Sequence, residues 1–337
     1  YFLACFGVRL LCYGINDMDK QPKHWSTITE TGTVVGMRIL LMCYQLFGHK
    51  GFRLLLAPVI VYFYFRKHAT RAASKEYLQK IAPFLPEHKR KKLTPFRHFW
   101  MFGEVLLDKF LVWMGKIKPQ DVVFETPDTF QKIEASKLGG IIVVSHLGNT
   151  EICSALAHQL PDIKVTMLVY TQHAQKFNKM LQRTNANATI NLIQVTDMSP
   201  ATAMILSERV AAGEFVVIAG DRTPVNNGGR VSIVDFLGAQ AALPQGAFIL
   251  ASLLRCPVYL MFCLKQDSAY HIYMETFSEK LSFARKEREQ KLEEAVTLYA
   301  KRLEYYCQLA PLQWFNFFPF WHVESKDQQA LINNSDA

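Results

Sequence analysis

From Val122 onward, short apolar runs rich in β-branched residues alternate with segments of helical periodicity, and that alternation leaves few folds open. The strand-like runs are Gly140–Ser145, Lys164–Tyr170, Asn191–Val195, Phe215–Ala219 and Pro257–Leu264. Helical spacing fills Thr150–Gln159, Ala174–Thr184, Ala201–Ala211 and Gln245–Leu254, and Glu287–Gln308 closes the domain. A run such as Gly140-Ile141-Ile142-Val143-Val144-Ser145 has no polar face, so it belongs in a sheet covered on both sides. The expected fold is α/β: a mostly parallel central sheet flanked by helices.

The most informative stretch lies at the end of that run. His146-Leu147-Gly148-Asn149-Thr150-Glu151 joins the strand to the helical pattern that begins at Glu151. This places an imidazole at the carboxyl edge of the sheet, where ligands bind in open α/β folds, with a carboxylate in the next helix's first turn. A His held by a carboxylate keeps one tautomer and accepts a proton from a hydroxyl, as an acyl-transfer base must. Spacing alone is weak, since 10 His and 29 acidic residues produce such matches by chance, and His322 to Asp327 is a second one in a polar tail. The plain alternative is a helix-start carboxylate at Glu151 and a backbone-bonded core histidine at His146.

Other residues gather at the same edge. Asp221-Arg222 follows the Phe215–Ala219 run; Asp221 suits a turn or a site, and Arg222 offers a fork for phosphate or carboxylate. The loop Asn226-Asn227-Gly228-Gly229-Arg230 lacks the spacing of a phosphate cradle and reads as a rim. Ser145 has no Gly-x-Ser-x-Gly elbow around it, so direct transfer fits better than an acyl-enzyme.

Half of the residues are apolar and the formal net charge is +9. That balance suits an anionic membrane or an acidic partner protein. Basic residues are scattered and no binding motif appears, which argues against nucleic acid. The 7 Cys form no CxxC pairs and no metal spacing with His, so they read as buried hydrophobes and no metal site is expected.

Residues 1–70 carry the membrane question. Tyr1–Ile15 is largely apolar. Ile39–Phe47 and Leu54–Phe65 are apolar runs separated by Gly48-His49-Lys50-Gly51-Phe52-Arg53, each short of the roughly 20 residues that span a bilayer. The expectation is a helical hairpin in or dipping into the inner leaflet, with Arg66-Lys67-His68 held at the cytoplasmic face. An ordinary pair of core-covering helices is the alternative. The charged run Pro86-Glu87-His88-Lys89-Arg90-Lys91-Lys92 is a solvated face or a contact for headgroups or an acidic carrier. Phe96–Trp113 reads as a core helix. The second unit covers residues 71–325, and 326–337 is expected to be a frayed tail.

Four blocks in order resemble the bacterial lipid A late acyltransferases, the lauroyl and myristoyl transferases of the lysophospholipid acyltransferase superfamily. They are His146–Glu151, Val216–Arg222, Asp235-Phe236-Leu237-Gly238 with Leu243–Ala247, and Pro311-Leu312-Gln313-Trp314-Phe315-Asn316-Phe317. Thr150 stands where that family usually carries Trp, and Arg222 replaces the Gln of its Asp-Gln pair, which marks a divergent branch.

The resemblance implies a glycerolipid acyltransferase-like fold at the cytoplasmic face of the bacterial inner membrane. It implies acyl transfer from a thioester on acyl carrier protein or coenzyme A to a hydroxyl of a membrane glycolipid, with no resident cofactor. The expected catalytic pair is His146 as base and Glu151 orienting it. Backbone amides at Gly148–Thr150, or Arg222, would steady the oxyanion. Asn149, Thr150, Arg183, Asp221, Arg222 and Gly238 are the expected substrate contacts, Arg183 through substrate phosphate and Gly238 beside the acyl tunnel. Expected partners are the carrier protein, the glycolipid acceptor and the anionic inner leaflet. Two alternatives stand beside this: transfer of an aminoacyl or aryl-polyene group from a dedicated carrier, and a non-catalytic lipid-binding protein on the same fold.

Overall fold

A computed structural model describes residues 34–157, 163–169, 191–194, 199–223, 230–267 and 269–322. The helices are α1 (Val34–Arg66), α2 (His68–Ile81), α3 (Glu87–Arg90), α4 (Pro95–Trp113), α5 (Pro127–Ser136), α6 (Thr150–Ala157), α7 (Pro200–Ala211), α8 (Gly246–Leu254) and α9 (Arg288–Leu309). The strands are β1 (Val122–Phe124), β2 (Gly140–Val144), β3 (Val165–Val169), β4 (Asn191–Gln194), β5 (Phe215–Ala219), β6 (Val231–Phe236), β7 (Ala239–Pro244), β8 (Val258–Gln266) and β9 (Ala269–Ser278).

Seven strands form one sheet in the order β1-β9-β8-β2-β5-β3-β4, with β2 near its middle. Every pairing in it is parallel except the β8–β9 hairpin, so the expected mostly parallel architecture is the observed one. The all-apolar strands are explained by two cores. Ile141, Val143, Val216 and Ile218 face one side, where Leu292, Val296, Tyr299 and Leu303 of α9 cover them. Ile142, Val144, Val217 and Ala219 face the other, under Ile152 and Leu156 of α6. Each strand residue is thus withdrawn from water, and no polar face survives in the sequence.

The expected helix over Ala174–Thr184 and the loop at 226–229 lie outside the described residues. Among the described ones, β1, β6, β7 and β9 are strands that the sequence reading did not place. β6 and β7 pair with each other, separate from the main sheet, through Leu237 and Gly238, both at positive φ (54° and 73°). A two-residue turn with both central residues left-handed matches strand twist, and Gly adopts it without strain. Leu237 adopts it because it is buried and its amide donates to Glu304 Oε2 at 2.9 Å.

The amino-terminal region corrects one expectation. At Gly48 the backbone leaves helical geometry (φ 62°, ψ −161°), so α1 is two helical stretches joined across a kink where the sequence separates its two apolar runs, and the second stretch continues through Gly51 to Arg66. Tyr44–Arg66 is 23 residues, long and apolar enough to cross a membrane by length and composition. One stripe, Phe52-Leu56-Ile60-Phe63, packs on Phe99, Phe102 and Val105 of α4. The opposite side leaves Phe47, Leu54, Tyr62 and Phe65 exposed, Leu54 by 76%.

Candidate active site

β2 and β5 are parallel neighbours in register, with Val144 beside Ala219. Two residues beyond each strand, the chain brings His146 and Asp221 together. The pairing extends past the strands, since Gly220 N–H donates to Val144 O at 2.9 Å. A Cβ on Gly220 would come within 2.7 Å of Val143 Cγ1 and 3.0 Å of the Tyr299 ring, so only glycine permits this approach.

His146 Nδ1 lies 2.7 Å from Asp221 Oδ1, and the His146 backbone N–H donates to Oδ2 at 2.9 Å. Trp314 Nε1–H and Asn316 Nδ2–H donate to the same Oδ2 at 3.0 and 2.9 Å. Asn316 Oδ1 in turn accepts from Arg222 Nε at 2.8 Å, and the Arg222 guanidinium sits 5.6 Å from the Phe318 ring centre. Four donors therefore surround one buried carboxylate, which is how a charge is kept inside a protein.

Electrostatics fix the protonation states. Burial disfavours imidazolium and the Arg222 guanidinium repels it; together they outweigh Asp221 and lower the His146 pKa to about 4. Burial pushes Asp221 up, but the charge and hydrogen bond of His146, then Arg222 and the His146 amide, hold it below the usual carboxylate range. At neutral pH the imidazole is uncharged. Its proton sits on Nδ1, facing Asp221, and the lone pair on Nε2.

The loop carrying His146 is stitched on both sides. Phe315 N–H donates to His146 O, and Gly148 N–H to Gln313 O, each at 2.9 Å; Asn149 N–H donates to Cys263 O at 2.8 Å. Gly148 has φ 74°, and a Cβ there would lie 1.9 Å from Cys263 O. Gln313 clamps β8 by accepting from Lys265 N–H at 2.9 Å and donating to Lys265 O at 2.6 Å. The Pro311–Phe317 block thus supports both the His146 loop and Asp221.

The carboxylate on Nδ1 is Asp221, and Glu151, the expected orienting acid, accepts through Oε1 from Lys109 Nζ at 2.8 Å, with both side chains buried. Beside them, Asp108 takes Lys265 Nζ at 2.5 Å and the Tyr270 hydroxyl at 2.8 Å. The oxyanion expectation changes too, because the Gly148 and Asn149 amides already donate to carbonyls. Asn149 is buried and donates through Nδ2 to Val105 O at 3.2 Å, while Thr150 opens α6, half-buried. Gly238 is a turn residue of the β6–β7 hairpin, with Phe84 as its neighbour. Arg183 lies outside the described residues.

Trp314 and Asn316, quoted only as part of the Pro311–Phe317 block, and Lys109 are the residues to which the sequence alone assigned no place in the site. Their signal was present: polar groups inside otherwise apolar stretches, Pro311–Phe317 and Phe96–Trp113. Buried groups of that kind need partners, and partners far along the chain are what they found.

A neutral imidazole, aligned by a buried carboxylate at the carboxyl edge of a parallel sheet, equips an α/β enzyme to take a proton from a hydroxyl during group transfer. Residues 19–322 match the bacterial lipid A biosynthesis acyltransferases, and the chain belongs to that family. It is an acyltransferase acting on lipid. No curated protein matches the chain.

Proposed function

We propose that the protein moves an acyl group from a carrier-protein thioester to a hydroxyl of a lipid A precursor at the cytoplasmic face of the inner membrane. The observation that carries this reading is the pair at the sheet edge, His146 Nδ1 on Asp221 Oδ1 at 2.7 Å, in surroundings that leave the imidazole uncharged at neutral pH.

His146 Nε2 takes the proton of the acceptor hydroxyl as its oxygen attacks the thioester carbonyl. The resulting tetrahedral oxyanion collapses, the C–S bond breaks, and the thiolate leaves with the proton held on the imidazole. An ester and a free carrier thiol result, and His146 returns neutral. Asp221 fixes the tautomer and stabilises the transient imidazolium; Arg222, beside it, opposes imidazolium and so favours return of the proton. Arg222 is also the cation nearest this pair for a developing oxyanion. Glu151, paired with Lys109, anchors the first turn of α6 and with it the loop that presents His146.

The test is an in vitro assay with membranes, acyl carrier protein thioester and a lipid A precursor. His146→Ala is expected to lower turnover by roughly 10²–10⁴-fold while the protein still folds and still binds membranes. Turnover within a few-fold of the parent rejects His146 as the base. The Thr150 and Arg222 departures from the family pattern favour a second reading, transfer of an aminoacyl or aryl-polyene group. Mass spectrometry of lipids from cells with and without the gene separates the two by the mass added.

A further inference from the structure

We infer that the protein holds the phosphate headgroup of an anionic membrane phospholipid in a pocket on the outer face of α2, whose lining includes neither His146 nor Asp221. A cavity of about 680 Å³ opens there between the end of α1, α2 and the α3–α4 connection. Its lining includes Arg71, Lys75, Arg90 and His68, set among apolar contacts such as Leu78 and Leu93.

Charge in this pocket is unbalanced. No Asp or Glu contributes to the lining. Among the described residues, neither Arg71, Lys75 nor Arg90 has a carboxylate within ion-pair distance. Arg71 is instead fixed by Tyr64 O at 3.0 Å and His68 Nδ1 at 3.0 Å, and Arg90 by Leu85 O at 2.7 Å. Two guanidinium groups are thus held in place by neutral acceptors, with donors left over for an anion. Phosphate, with several acceptor oxygens and full charge, suits such a set better than a single carboxylate does.

Location selects the source of the phosphate. α2 presents opposite faces to two environments: Ser74, Tyr77 and Ile81 are buried, while the less buried Arg71, Lys75 and Gln79 line the pocket. Directly before it, the last turns of α1 expose Val61, Tyr62 and Phe65. An apolar surface that ends at a basic pocket places acyl chains along α1 and the headgroup among the cations, as at a membrane interface. An acidic protein partner offers no counterpart for the apolar half.

The test uses the full-length protein in neutral detergent, with Lys75 acetylation read by mass spectrometry. Dihexanoyl phosphatidylglycerol is expected to protect Lys75, whereas dihexanoyl phosphatidylcholine and inorganic phosphate at the same concentration leave it reactive. Equal protection by phosphatidylcholine, by inorganic phosphate or by acyl carrier protein overturns the assignment, as does no protection by any of them. A second measurement compares flotation with phosphatidylglycerol-containing vesicles. Lys75→Gln/Arg90→Gln should weaken binding about tenfold more than Lys89→Gln/Lys92→Gln, which removes the same charge from the adjacent run. Equal losses in the two pairs would reduce the pocket to diffuse surface charge. The acetylation result on the parent protein stands even where a variant fails to fold.

Discussion

At the scale of single residues, the candidate site is built on a carboxylate far along the chain from the histidine it holds. Asp221 reaches His146 across 75 positions of sequence, and Trp314 and Asn316 reach Asp221 across 93 and 95. Asp221→Asn keeps the side-chain shape but removes the charge and invites the wrong tautomer. It is expected to lower kcat on the order of 10³–10⁴-fold in protein that remains folded by thermal unfolding, with a smaller change in KM. A folded Asp221→Asn enzyme with near-parental kcat would remove Asp221 from the mechanism.

Two buried histidines set the response to acid. His98 is held by Trp314 O at 3.0 Å and Ser74 Oγ at 2.9 Å, and burial, only partly offset by the Trp314 carbonyl, lowers its pKa to about 3. His146 lies at about 4. Both folded-state values are below the ordinary 6.5, so the unfolded chain takes up protons first as pH falls. Above about pH 6.5 neither state is protonated and nothing is lost. Below it stability declines, by roughly 2 kcal/mol per histidine at about pH 5, until the folded pKa is passed. Thermal unfolding across this range should show a falling Tm, and His98→Gln should flatten the slope; an unchanged slope would mean that His98 does not drive it.

At the scale of elements, the buried pair between α4 and α6 is the sharpest case. Lys109 and Glu151 are both almost fully enclosed, so removing one leaves the other charged without its partner. Lys109→Met should cost roughly 3–5 kcal/mol in denaturant unfolding, and adding Glu151→Leu should recover part of that loss. Additive losses in the double variant would mean that the two side chains do not act as a pair.

The elements also explain what could be read from the chain. β2 and β5 were legible because both faces are buried and every residue is apolar, and β3 and β8 nearly so, broken only by Thr166 and by the Lys265-Gln266 end. β9 was missed because its pattern has period two: Tyr270, Ile272 and Met274 are buried while His271, Tyr273 and Glu275 are less so. The α6 start was legible from Gly148-Asn149-Thr150-Glu151, but the partner of His146 was not. Sequence spacing sees neighbours along one element, and parallel strands bring together residues separated by whole crossovers. Gly48 was legible as a break, since a residue without a Cβ takes the left-handed φ of 62° found there without strain.

At the scale of the whole molecule, one sheet organises three regions with different tasks. Its carboxyl edge holds the His146–Asp221 pair, α4 and the Phe315–Phe317 strip form the seat for α1, and α1 offers its remaining apolar side outward. The side chains that hold Asp221 in place come from a segment that follows α9, after all of the sheet has been made. A chain emerging from the ribosome therefore carries His146 long before it carries Trp314 and Asn316. The His146–Asp221 pair thus gains its last two supporting hydrogen bonds only after every strand of the sheet has been synthesised.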